Sequence, residues 1–133
     1  MTLKEFEQKW LAAFATGIPK KQVEKHVTSR GNHIWHIFSW KLLPEGSYLT
    51  GDEAREAYNH LPRRQREQAV FIEPFGEKYP ESFSLTWQES SAYHLDKRIE
   101  IFAVDEDFSW TYIKTHENDL CGPYFYRKEE VTP

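Results

Sequence analysis

Apolar residues recur at spacings of three and four from the start of the chain. Leu3, Phe6, Trp10, Ala13 and Phe14 mark one stripe and predict an amphipathic helix. Thr2 and Glu5 read as its capping box, and Gly17 as its end. Pro19 suits the first turn of a second helix, with Val23, His26 and Val27 facing inward and Gly31 as the left-handed exit. The stretch His33–Trp40, HIWHIFSW, is β-branched and aromatic and apolar in both phases, which predicts a central strand. Thr50 and Glu53 form a second capping pair, opening a helix with Ala54, Ala57, Tyr58 and Leu61 on one side; Pro62 stops it. Ala69 to Glu73 reads as another strand, parallel to the first through a right-handed crossover.

From Pro74 to Leu95 neither period holds, and the pattern supports only a short helix near Glu89. Alternation then returns. Ile99, Ile101 and Ala103 oppose Glu100, Phe102 and Val104, while Phe108, Trp110 and Tyr112 oppose Ser109, Thr111 and Ile113. Asp105-Glu106-Asp107 supplies the turn between the two runs, with aspartates bonding back to their own backbone. The predicted fold is α+β: two N-terminal helices and a crossover helix packed on a mixed sheet of about four strands, ending in an antiparallel hairpin. With 133 residues and no repeat or linker, residues 1–133 read as a single globular domain.

Composition adds to this picture in three ways. Nine Phe, seven Tyr and five Trp allow a sizeable core in a polar-surfaced chain. Five Trp are more than a domain of this size encloses, so one or two aromatics are expected at the surface as partner anchors. A net charge of −4 leans away from nucleic acid, whose binders carry a basic face. Arg63, Arg64 and Arg66 form the only basic run, beside Glu67, and read as a solvated helix end. No apolar run reaches a membrane span, and the first residues lack a secretory apolar core. One cysteine excludes an internal disulfide and suits a cytoplasmic setting.

Candidate chemistry gathers after the last predicted strand, where His116, Glu117, Asp119 and Cys121 precede Gly122-Pro123. An imidazole beside a thiol is the arrangement that activates a nucleophile, and zinc accepts the same groups. The recognised thiol and zinc signatures, with a second cysteine or an H-E-x-x-H helix, are absent. His33 and His36, three apart on a strand, are expected on opposite faces and unable to share an ion. A serine-nucleophile elbow and a glycine-rich phosphate or dinucleotide loop are also missing, so no cofactor and no metal is assigned. The sequence leans away from an enzyme. It favours a protein-binding module of the antitoxin or immunity type, with Trp110, Tyr112, Tyr124 and Tyr126 as anchors. The alternative is a metal- or thiol-dependent hydrolase centred on His116, Glu117 and Cys121.

Several blocks stand together in order: Trp35-His36-Ile37-Phe38-Ser39, Gly51-Asp52-Glu53-Ala54, Asp105 to Tyr112, Thr115-His116-Glu117 and Gly122-Pro123-Tyr124-Phe125. In these the chain resembles a family of small bacterial proteins, a domain of unknown function frequent in bacilli. The resemblance implies a bacterial cytoplasmic protein and carries no activity, cofactor or site residue.

Overall fold

A computed structural model describes residues 1–28, 33–76, 80–117 and 120–128. Gly31 and Asp119 lie outside them. Helix α1 (Leu3–Phe14) forms where the apolar stripe predicts it, and Phe6, Trp10 and Phe14 are buried. The Thr2 hydroxyl accepts the Glu5 amide at 3.2 Å as an N-cap does, while the Glu5 carboxylate takes the Thr2 hydroxyl proton in place of the backbone N–H that a full capping box uses. Helix α2 (Lys20–Val23) follows Pro19 and widens into a π-helical turn, Glu24–Thr28, from which Val27 is buried.

The predicted strand at HIWHIFSW is instead a turn leading into α3 (His36–Ser39). The amides of His36, Ile37 and Phe38 bond to carbonyls three residues back, and that of Trp40 to His36 four back. Ile34, Trp35, Ile37 and Phe38 are all buried, whereas His33, His36 and Ser39 are only partly so. That spacing is helical: apolar positions at i, i+1, i+3 and i+4 fill one face, and what looks like burial in both strand phases is one helical stripe.

The chain continues through β1 (Leu49–Thr50), α4 (Gly51–Asn59), α5 (Arg63–Glu67), β2 (Val70–Ile72), α6 (Ala92–Leu95), β3 (Ile101–Val104), β4 (Trp110–Lys114) and β5 (Tyr124–Arg127). Thr50 caps α4 by position but makes no side-chain cap bond. In place of a mixed four-stranded sheet, the five strands run in the order β1-β5-β4-β3-β2, each pair antiparallel. With HIWHIFSW helical, β2 has no parallel partner and pairs with β3 instead, so α4 is not a crossover between parallel strands. The α+β class and the β3–β4 hairpin are as expected. Asp105 closes the hairpin by accepting the Ser109 and Trp110 amides.

Both sheet faces are covered, which makes β3 and β4 buried throughout. Phe102, Val104 and Ile113 pack with Phe6, Trp10, Phe14, Trp35 and Phe38 on one side. Ile101, Ala103, Trp110, Tyr112 and Phe125 pack with Tyr58 of α4 and Leu95 of α6 on the other. The Trp10 indole N–H donates to Thr111 Oγ1 at 2.8 Å, tying α1 to the middle of the sheet. Phe108 departs from the predicted face. Its backbone takes φ +53° just before β4, and its ring packs against Phe6 and Phe14. No helix among the described residues is long and apolar enough to cross a membrane.

Candidate functional site

The strand register decides what meets what. Ile101 pairs with Lys114, so Glu100 and His116 are held just past the same end of the β3–β4 ladder. Glu100 precedes Phe102 by two positions and shares its inward face, and its side chain is wholly buried. A carboxylate there needs donors, because an unpaired buried charge is costly. Its Oε1 accepts the Trp35 indole N–H at 3.0 Å and the His116 backbone N–H at 3.0 Å. His116 Nδ1 lies 2.8 Å from the same oxygen. A carboxylate oxygen can only accept, so in the neutral ring Nδ1 is the donor to Oε1 and Nε2 is the acceptor of His116. Glu100 Oε2 makes no hydrogen bond among the described residues and faces His33 Nδ1 at 3.4 Å.

Four rings surround this carboxylate. His33 stacks on Trp35 at 5.2 Å and lies 5.0 Å from His116 between centroids. His36 is 5.7 Å from His33 and edge-on to Trp35. The expectation that His33 and His36 point apart therefore fails. It rested on strand geometry, and on a helical turn residues three apart share a face. The two imidazoles next to Glu100 are about one-third exposed, so a fully buried acid presents two rings to solvent. Burial holds His36 below the usual imidazole range despite the His26 carbonyl near its Nδ1.

A cleft of about 490 Å³ opens beside the cluster. Its apolar walls are Leu3 and Leu11 of α1, Val27, Ile34, Pro74 and Phe75. Lys4, Glu7, Gln8, Thr28 and His33 supply its polar groups. Phe75, half exposed at the lip, packs edge-on to His33 and to His116. Burial first, and then the nearby Glu100 charge, raises the Glu7 carboxyl above the ordinary glutamate range. A raised carboxyl pKa means the folded state binds more protons than the unfolded chain, so this group's contribution to stability falls as pH rises above about 4.5. Glu7→Gln should therefore be more stable than wild type at pH 7 and should flatten that part of the stability–pH curve. Denaturant unfolding at pH 4 and pH 7 reads this directly, and a less stable variant at pH 7 would count against it.

The predicted tip divides. His116 belongs to the Glu100 cluster, and Glu117 Oε1 lies 3.8 Å from His116 Nε2, too long for a hydrogen bond. Cys121 interacts with Glu117 and Tyr124, and burial followed by the Glu117 charge raises its thiol above the usual range. A thiol so placed is a poor nucleophile at neutral pH. Iodoacetamide should alkylate it more slowly than free cysteine at pH 7; faster labelling would contradict this environment. Among the described residues, no group of three or more His, Cys, Asp and Glu side chains is arranged to hold a metal ion.

Of the predicted anchors, Trp110, Tyr112 and Tyr124 are buried and only Tyr126 is partly exposed. Among the described residues, the large apolar side chains that reach the surface are Trp40, Phe75, Tyr93, Ile99 and Leu120. Arg66 is buried, stacked 3.7 Å over Trp87 and bonded to Ser90, Asn59 and the Trp87 carbonyl. Arg63 pairs with Glu67, so two arginines of the basic run are engaged within the fold. Sequence reasoning passed over Glu100 and Glu7. Glu100 had a signal, an acid in phase with Phe102 and Val104 on a face that must be buried. Glu7 had one too: four residues from both Leu3 and Leu11 and three before Trp10, it falls on the apolar flank of the α1 stripe.

An antiparallel α+β domain with a histidine–glutamate cluster beside an apolar cleft is the class that fold and site define. The chain belongs to the family described as Domain of unknown function (DUF4275), whose profile matches residues 3–125. No curated protein and no solved structure matches it.

Proposed function

We propose that this chain is a small cytoplasmic ligand-binding domain, residues 1–133 acting as one unit, in which His33, beside Glu100 and His116, exchanges protons with a compound held in the cleft. The supporting observation is the Glu100 arrangement: one buried carboxylate, two partly exposed imidazoles, and a cleft on which His33 opens. A buried acid that holds an imidazole by Nδ1 fixes its tautomer, points Nε2 outward and stabilises the imidazolium formed when Nε2 takes a proton. Glu100 and the two histidines then supply the acid–base chemistry of a hydrolase-type site, and Cys121 is not needed. A protein-binding role through Trp110, Tyr112 and Tyr124 draws less support, because those rings serve the core.

An NMR screen of the wild-type protein against small apolar fragments tests this. Binding fragments should move the methyl signals of Leu3, Leu11, Val27 and Ile34 together with the His33 ring. Fragments that bind only around Trp40 or Tyr93, or none that reach the cleft, would remove the reading.

A further inference from the structure

We infer that the cleft selects apolar amines in their protonated form, with Glu7 receiving the ammonium group and Phe75 packing against it. This rests on the cleft being the ligand site proposed above. At about 490 Å³ it has the size of a small-molecule pocket, and its apolar walls would enclose a hydrocarbon or aryl body. Among the described residues its walls carry one carboxylate, Glu7, and one ammonium, Lys4, and only Glu7 is partly buried. Glu7 is half-buried on the α1 wall and makes no ion pair among the described residues. Glu100 stands near enough to oppose ionisation of Glu7, and its Oε2 makes no hydrogen bond and faces only His33 among the described residues. Two carboxylates that repel each other across a low-dielectric region favour a cation between or beside them. Lys4 does not fill that role. It lies on the exposed side of α1, where a lysine carries its charge to water. Phe75 at the lip offers an aromatic face, the second element that recognises an ammonium group.

The sign of the pH dependence follows. An ammonium favours the ionised form of Glu7, so amine affinity should rise as pH climbs through the range in which the raised Glu7 carboxyl loses its proton. A neutral ligand of the same shape should lack this slope.

Calorimetry at pH 7 with three probes of like shape, 2-phenylethylamine, 2-phenylethanol and phenylacetate, tests the inference on wild type and Glu7→Gln. The amine should bind wild type roughly tenfold or more tightly than the alcohol, in keeping with a charge-assisted hydrogen bond. In Glu7→Gln that preference should shrink to about twofold or less. Equal amine and alcohol affinities in wild type, a preference that survives in Glu7→Gln, or tighter binding of phenylacetate would each overturn amine selectivity and leave the cleft as a ligand site. If none of the three binds at millimolar concentration, the ligand-site reading falls and amine selectivity with it.

Discussion

Glu100→Ala is expected to lower the unfolding free energy by about 3–5 kcal/mol, a large part of what a domain of this size possesses. The loss is not that of one contact. The Trp35 indole N–H and the His116 backbone N–H both end on Glu100 Oε1 inside the protein, and removing the carboxylate strands both donors. Each buried group left unpaired costs about 1–3 kcal/mol, and bonds to charged acceptors lie at the upper end. His33 also loses its carboxylate neighbour. Glu100→Gln should cost less, because an amide oxygen keeps one acceptor, but its NH2 group then opposes a donor on His33 or His116. Equilibrium unfolding in guanidinium chloride checks both. A Glu100→Ala protein within about 1 kcal/mol of wild type would mean that the carboxylate does not hold the Trp35 turn to the sheet.

Trp10→Ala should be comparably damaging, at about 3–5 kcal/mol, as for other large-to-small changes of buried aromatic residues. Trp10 is fully buried, packs on Phe14 and Phe38, and anchors α1 to Thr111 in the centre of the sheet. The same change at Trp40, whose half-exposed ring lies tilted against His26, should cost less than about 1 kcal/mol. Thermal melts of the two variants side by side would separate them by many degrees. Similar melting temperatures would contradict the burial that distinguishes two tryptophans of equal sequence prominence.

The sequence carried the hairpin well, because β3 and β4 alternate in composition even though both faces are buried. Phe102, Val104 and Ile113 go to the α1 side, while Ile101, Ala103, Trp110 and Tyr112 go to the α4 side. The amphipathic α1 was equally legible from its stripe and its Thr2 cap. HIWHIFSW was not. Its aromatic and β-branched content argues for a strand, and the spacing of Ile34, Trp35, Ile37 and Phe38 fits either period over so short a run. Tertiary burial decided the outcome, as it does whenever a four-residue helix has no propensity of its own to sustain it. β1 and β5 escaped notice for a related reason: two and four residues are too few for alternation to register.

The site was half visible. His116 drew attention as a polar residue in a loop after a strand, but its partner Glu100 lies sixteen residues back. Joining the two needs the β3–β4 register, which the alternation implies but does not number. His33 reaches the same acid only because its segment is helical. The cleft joins α1 to Pro74 and Phe75, some seventy residues along, and no local pattern announces such a meeting. The aromatic anchors misled in the opposite sense. Alternating Trp and Tyr in β4 are as consistent with a two-sided core as with a contact surface, and the second helical layer over that face settles them as core.

The most direct test of the Glu100 cluster is the tautomeric state of His116, read from imidazole 15N shifts at a pH where the ring is neutral. His116 should carry its proton on Nδ1, with Nε2 bare, and Glu100→Gln should weaken that bias. A wild-type protein whose His116 holds its proton on Nε2 would show that Glu100 does not receive the Nδ1 hydrogen bond, and the acid–base pair would have no basis.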